Sequence, residues 1–182
     1  MSKESVLEDC NVFITIRRNG EVVGRREGHN VWTNTGREYS CLVKSLNRLG
    51  QRFREDSIAY IGVGEGTQVE TPSVSKLASP LAFSGQTYLK PLDHTLTVFP
   101  DNGSRLAIRY SAVFGPESFG GNLTHISECG LFTNGHASTF QVNSREVALS
   151  TADLQAPVAY HTFEPIPKTS NIEIEIMWEL RH

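Results

Sequence analysis

The sequence predicts a mainly β protein: an antiparallel β-sandwich, jelly-roll-like or Greek-key, with one α-helix from the N-terminal half packed on it. Three observations predict it. Between Asn171 and His182, Ile172, Ile174, Ile176, Trp178 and Leu180 alternate with Glu173, Glu175, Met177, Glu179 and Arg181. Between Arg105 and Phe114, Leu106, Ile108, Tyr110, Ala112 and Phe114 alternate with Arg105, Arg109 and Ser111 in the same way. Successive side chains of a strand point to opposite faces, so each run has one face for a core and one for water or a partner, whereas a helix would scatter both sets around its circumference. The third observation is compositional: 15 glycines and 8 prolines in 182 residues suit many turns joining short strands.

The elements follow in order. Val12, Ile14 and Ile16 lead to Asn19-Gly20, which supplies the two positive φ values of a tight hairpin, and the chain returns to make a hairpin over 12–27. Thr35 with Glu38 forms a capping box, and Tyr39, Leu42, Val43, Leu46 and Leu49 recur at helical spacing until Gly50, predicting a helix over 35–49 with one apolar face. Ile58 to Gly64 reads as a buried strand opening into Gly62-Val63-Gly64-Glu65-Gly66. That run lacks the dinucleotide spacing and any following Gly-Lys-Ser or Gly-Lys-Thr, so it reads as a strand end needing close backbone approach. The stretch 65–86 is predicted as the least structured part, with a helical turn at Ser73 to Leu77. From Leu96 the chain is strand-like to its end, with strands at Leu96 to Phe99, Arg105 to Phe114, Leu123 to Thr133, Ser138 to Val142 and Val158 to Phe163. Val147 to Ala156 reads equally as strand or loop, and Pro165 and Pro167 mark the connection into the closing strand. One domain over 1–182 is expected, with its main antiparallel strands over 96–182.

Charge and composition narrow the function classes. The net charge of −3 comes without a long basic run, which argues against a specific nucleic-acid partner. The three cysteines, Cys10, Cys41 and Cys129, have no framework spacing and read as reduced thiols. No run of 18 apolar residues exists for a membrane span, and the polar, acidic Ser2 to Asn11 does not read as an export signal. The six histidines are scattered, and His125 with Glu128, like His161 with Glu164, stand three apart, on opposite faces of a strand. No hydrolase elbow is present, so the expectation is a non-enzymatic chain without cofactor or metal.

The candidate contact residues are therefore surface ones. Arg17, Arg18, Arg25 and Arg26 gather near the hairpin turn, Phe119 sits in the middle of a loop, and Glu173, Glu175 and Glu179 share the wet face of the closing strand. Glu128 is different, a carboxylate within the small and apolar segment Ile126 to Phe132. If buried it needs a partner, for which a hairpin arginine or Arg109 is the candidate.

Four segments together resemble a family of bacteriophage virion proteins. They are Gly28-His29-Asn30-Val31 running into Thr35-Gly36-Arg37-Glu38-Tyr39; Tyr60-Ile61-Gly62-Val63-Gly64; Ile126-Ser127-Glu128-Cys129-Gly130-Leu131-Phe132; and Thr162-Phe163-Glu164-Pro165-Ile166 with Lys168-Thr169. In order they are similar to tail-associated or collar proteins, and the second and third also to the N-terminal attachment domains of tail-collar fibres. Cys129 stands where such a strand has alanine. The resemblance implies a structural protein of the virion, made in the bacterial host cytoplasm, assembling with itself and with other phage structural proteins as a symmetric oligomer at the neck, collar or tail. A capsid decoration protein is one alternative. A carbohydrate-binding β-sandwich for host-surface glycan, displaying aromatics such as Tyr88 or Phe119, is another.

Overall fold

The computed structural model describes residues 10–37, 39–40, 58–82, 84, 88–98, 107–133 and 156–181. Among these, the strands are β1 (Cys10–Arg18), β2 (Glu21–His29), β3 (Val31–Trp32), β4 (Ile58–Gly64), β5 (Leu89–Pro91), β6 (His94–Val98), β7 (Ala107–Phe114), β8 (Thr124–Thr133), β9 (Ala159–Lys168) and β10 (Ile172–Arg181). They form two five-stranded antiparallel sheets packed face to face, ordered β2-β1-β10-β7-β6 and β3-β9-β8-β4-β5. The chain changes sheet after β2, β5, β7 and β9, so short consecutive groups of strands build the two layers in alternation.

The closing strand is central to its sheet, paired with β1 on one side and β7 on the other. Register puts Ile174, Ile176, Trp178 and Leu180 beside Ile16, Ile14, Val12 and Cys10, and beside Phe114, Ala112, Tyr110 and Ile108. This is the alternation read from the sequence, and it builds the core: Val12, Ile174, Ile176, Trp178, Ala112 and Phe114 meet Ile61, Val63, Ile126, Cys129, Leu131 and Ile166 of the second sheet. Each large member fully withdrawn from water contributes about 1.5–3 kcal/mol. The β1–β2 turn carries the predicted positive φ at Asn19 (50°) and Gly20 (84°).

The helix starts differently from expectation. Residues 34–37 and 39–40 are helical, but the cap is Thr33, whose Oγ1 accepts the Gly36 N–H at 3.1 Å while its carbonyl accepts the Arg37 N–H at 3.0 Å. Thr33 leaves β3 still extended, its own N–H donating to the Val158 carbonyl at 3.2 Å, so its hydroxyl reaches the first-turn amides before Thr35 can. Tyr39 packs against the core. Glu38, and the stripe from Leu42 to Leu49, lie outside the described residues, as do the strand Ser138 to Val142 and nearly all of Val147 to Ala156.

β9 is longer than predicted because it runs through both prolines. Pro165 falls where the register shifts between the pairs Ile126–Ile166 and Glu128–Thr162, and Pro167 pairs with His125 on a strand that β3 flanks only at Ala159 and Tyr160. A bulge and a strand's free side are the places where a missing donor costs little. The stretch 65–82 has no regular helix or strand, and Ser73 to Leu77 is not helical. It is nonetheless a fixed strap across the outer face of the second sheet, where Val74 and Leu77 cover Leu89, Phe132 and Tyr160 in a second apolar cluster.

Candidate functional site

Glu128 is fully buried, on the face of β8 turned towards the strap. Its partners correct the expectation of an arginine. Oε1 accepts the N–H of Gly66 at 3.1 Å and of Ser79 at 2.8 Å; Oε2 accepts the N–H of Ala78 at 3.0 Å and the Tyr160 hydroxyl at 2.7 Å. Three backbone amides and a phenol thus solvate the carboxylate, the arrangement in which such nests hold external anions. The glycine-rich run makes room for it: a Cβ on Gly64 would strike Glu128 Oε1 and the Ser79 carbonyl, and one on Gly66 would strike Oε1 and Ala78. Burial and the bond to Glu128 push the Tyr160 hydroxyl far above its ordinary range.

Two further glutamates, unremarked in the sequence, fasten the first part of the same strap. Glu65 accepts from the Thr124 hydroxyl at 2.6 Å and the His125 N–H at 3.2 Å, and the Thr124 bond leads in holding its carboxyl below the usual range. Glu70 Oε1 accepts the Thr162 N–H at 2.7 Å and lies 2.9 Å from His161 Nδ1. Burial pushes the Glu70 carboxyl up, yet the bonds from His161 and Thr162 hold it below its ordinary value.

His161 and Thr162 also line a cleft of 410 Å³ between β2 and β9, with Val12 and Ile14 at its floor and Arg26, Phe163 and Glu164 at its sides. The missing side chain of Gly28 lets the His161 ring lie against β2. Arg26 reaches across the mouth and donates to the Glu164 carbonyl. The carboxylate beside His161 is Glu70, a contact between segments 91 residues apart that no local spacing reveals.

The predicted contact residues do not gather into one site. Alternation sends Arg17 and Arg25 to the outer face of the first sheet and Arg18 and Arg26 to the other. Arg17 lies between Glu173 (3.2 Å) and Glu175 (2.7 Å), so the basic and acidic candidates neutralise each other across β1 and β10. Glu179 is only 1% exposed, held by Arg109 at 2.6 Å and Arg181 at 2.9 Å, which outweigh burial and keep its carboxyl below the usual range. It is a buried ion-pair centre and not part of a wet face. Phe119 stacks on Phe114 with ring centroids 5.7 Å apart, half-buried at the end of the core instead of standing out from its loop.

Lys168 was missed as well. It is fully buried, its ammonium donating to the Thr169 carbonyl at 2.9 Å and the Pro116 carbonyl at 3.4 Å, and burial depresses its pKa. Burial likewise pushes the Cys129 thiol well above its ordinary value. Among the described residues, no three His, Cys, Asp or Glu side chains gather as a metal set, and no helix is long and apolar enough to cross a membrane. No protein family, curated protein or solved structure matches this chain.

Proposed function

We propose that this chain is a non-enzymatic structural protein of a bacteriophage virion, assembling as a symmetric oligomer at the neck, collar or tail. The observation that supports this most is where the buried charge goes. Glu128 is spent on the strap's backbone, Glu179 on two arginines and Lys168 on two carbonyls, so the groups that could do chemistry instead fix the shape of a two-sheet block. Four sequence segments resembling virion proteins, Gly28 to Tyr39 among them, agree with that use. The mutual pairing of Arg17 with Glu173 and Glu175 leaves the sheet edges as the surfaces best suited to assembly.

Quantitative mass spectrometry of purified particles tests the reading. Copies numbering about a dozen or fewer fit a symmetric vertex or tail, hundreds fit a capsid decoration protein, and none in the mature particle overturns the virion assignment. The glycan-binding alternative has less support, because the loop aromatic it would use, Phe119, is engaged with Phe114.

A further inference from the structure

The geometry points to β2 as the edge on which a second copy of this chain docks, strand to strand and antiparallel. The inference rests on the self-assembly reading above and adds the surface and the register.

The sheet edges are unequally guarded. β5 has three residues and ends in Pro91, and β6 has five residues. Beyond its short pairing with β3, β9 is closed by its own chain: Glu70 takes the Thr162 N–H, Arg26 takes the Glu164 carbonyl, and Pro165 and Pro167 have no donor to offer. β2 has nine residues and no proline, and Arg25, Glu27 and His29 are exposed along it. Among the described residues no such device guards this long edge, which makes it a template for another strand.

The β1–β2 ladder shows which groups β2 turns outward. Asn30 donates its N–H to the Cys10 carbonyl, and Gly28 and Arg26 follow it at alternate positions opposite Val12 and Ile14. Arg25, Glu27 and His29 therefore direct their amides and carbonyls away from β1. A two-fold axis normal to the sheet keeps both cores on one side when residues of the same face are opposed. Among those registers, one opposes Arg25 to Glu27 of the second copy twice over, and Gly24 to Gly28, which lets the backbones approach. The adjacent registers oppose Arg25 to itself or Glu27 to itself. Arg26 meets its counterpart near the axis, with its guanidinium already turned to the Glu164 carbonyl. The register shift at Val23 bounds the paired run, and Val22 (47% exposed) and Val23 (54%) flank it.

Sedimentation of the full chain up to about 100 μM tests this, with near-ultraviolet circular dichroism to follow the fold. Wild type is expected as a dimer or a multiple of two. Arg25→Pro removes an outward amide without touching the β1 ladder, and Arg25→Glu places like charges together; each should weaken association by about tenfold or more. The double exchange R25E/E27R should restore it, which keeps the test decisive even where the proline variant misfolds. Variants that associate as wild type does, or a double exchange that stays dissociated, overturn the β2 contact while leaving self-assembly standing. Wild type that remains monomeric throughout overturns the self-assembly reading and this contact together.

Discussion

Glu128 decides more than any other single residue, because four donors converge on a carboxylate that water does not reach. Its removal takes away one ordinary hydrogen-bonding group but strands several others. Glu128→Ala takes the acceptor away from the Gly66, Ala78 and Ser79 amides and from the Tyr160 hydroxyl, at a cost on the order of 3 kcal/mol or more. Tyr160→Phe removes one donor, leaves the amides in place, and should cost about 1–2 kcal/mol. Urea denaturation of both variants checks the ranking, and a Tyr160→Phe cost equal to that of Glu128→Ala would show that the amides contribute little. The sequence marked Glu128 as out of place among small apolar neighbours but could not name its partners. Backbone amides leave no trace in residue identity, and the one side-chain partner, Tyr160, is 32 positions away.

At the scale of elements, alternation was a reliable guide and charge was not. β1, β7 and β10 present the faces their sequences predict, since period two along a strand is set by the pleat alone. The same rule separates Arg17 from Arg18 and Arg25 from Arg26, so a basic cluster in the sequence becomes two faces in the sheet. Cross-strand register then decides what each charge meets. Glu173→Lys with Glu175→Lys should cost only about 0.5–1 kcal/mol, because the Arg17 pairs are partly exposed and solvent weakens them. Thermal melts at low and high salt check this, the cost shrinking as salt rises. The strap was the least legible element: its order comes from its own Glu65 and Glu70 reaching β8 and β9 and from Glu128 of β8 taking its amides, and not from any period of its own.

For the whole molecule, the carboxylates set a one-sided dependence on pH. Glu65, Glu70, Glu179 and Asp93 all titrate below their reference values of 4.5 for Glu and 3.8 for Asp. Their stabilisation is complete above those references and disappears as pH falls through the lower folded-state values, since the unfolded chain then binds protons that the native chain refuses. Urea midpoints should therefore be level from about pH 7 to 5 and fall steeply below about pH 4.5. A midpoint that holds flat to about pH 3 would remove these groups from the balance. The strap has a further consequence, for the order in which the chain folds. The amides of Gly66, Ala78 and Ser79 precede Glu128 by 62, 50 and 49 residues, so the β8 carboxylate enters the protein only when a distant loop arrives with it. Until those amides arrive, the outer face of β8 keeps its water, because burying the Glu128 side chain without them would leave a polar group unpaired. Dehydrating the outer face of β8 and closing the strap thus become a single kinetic event, a long-range and late one.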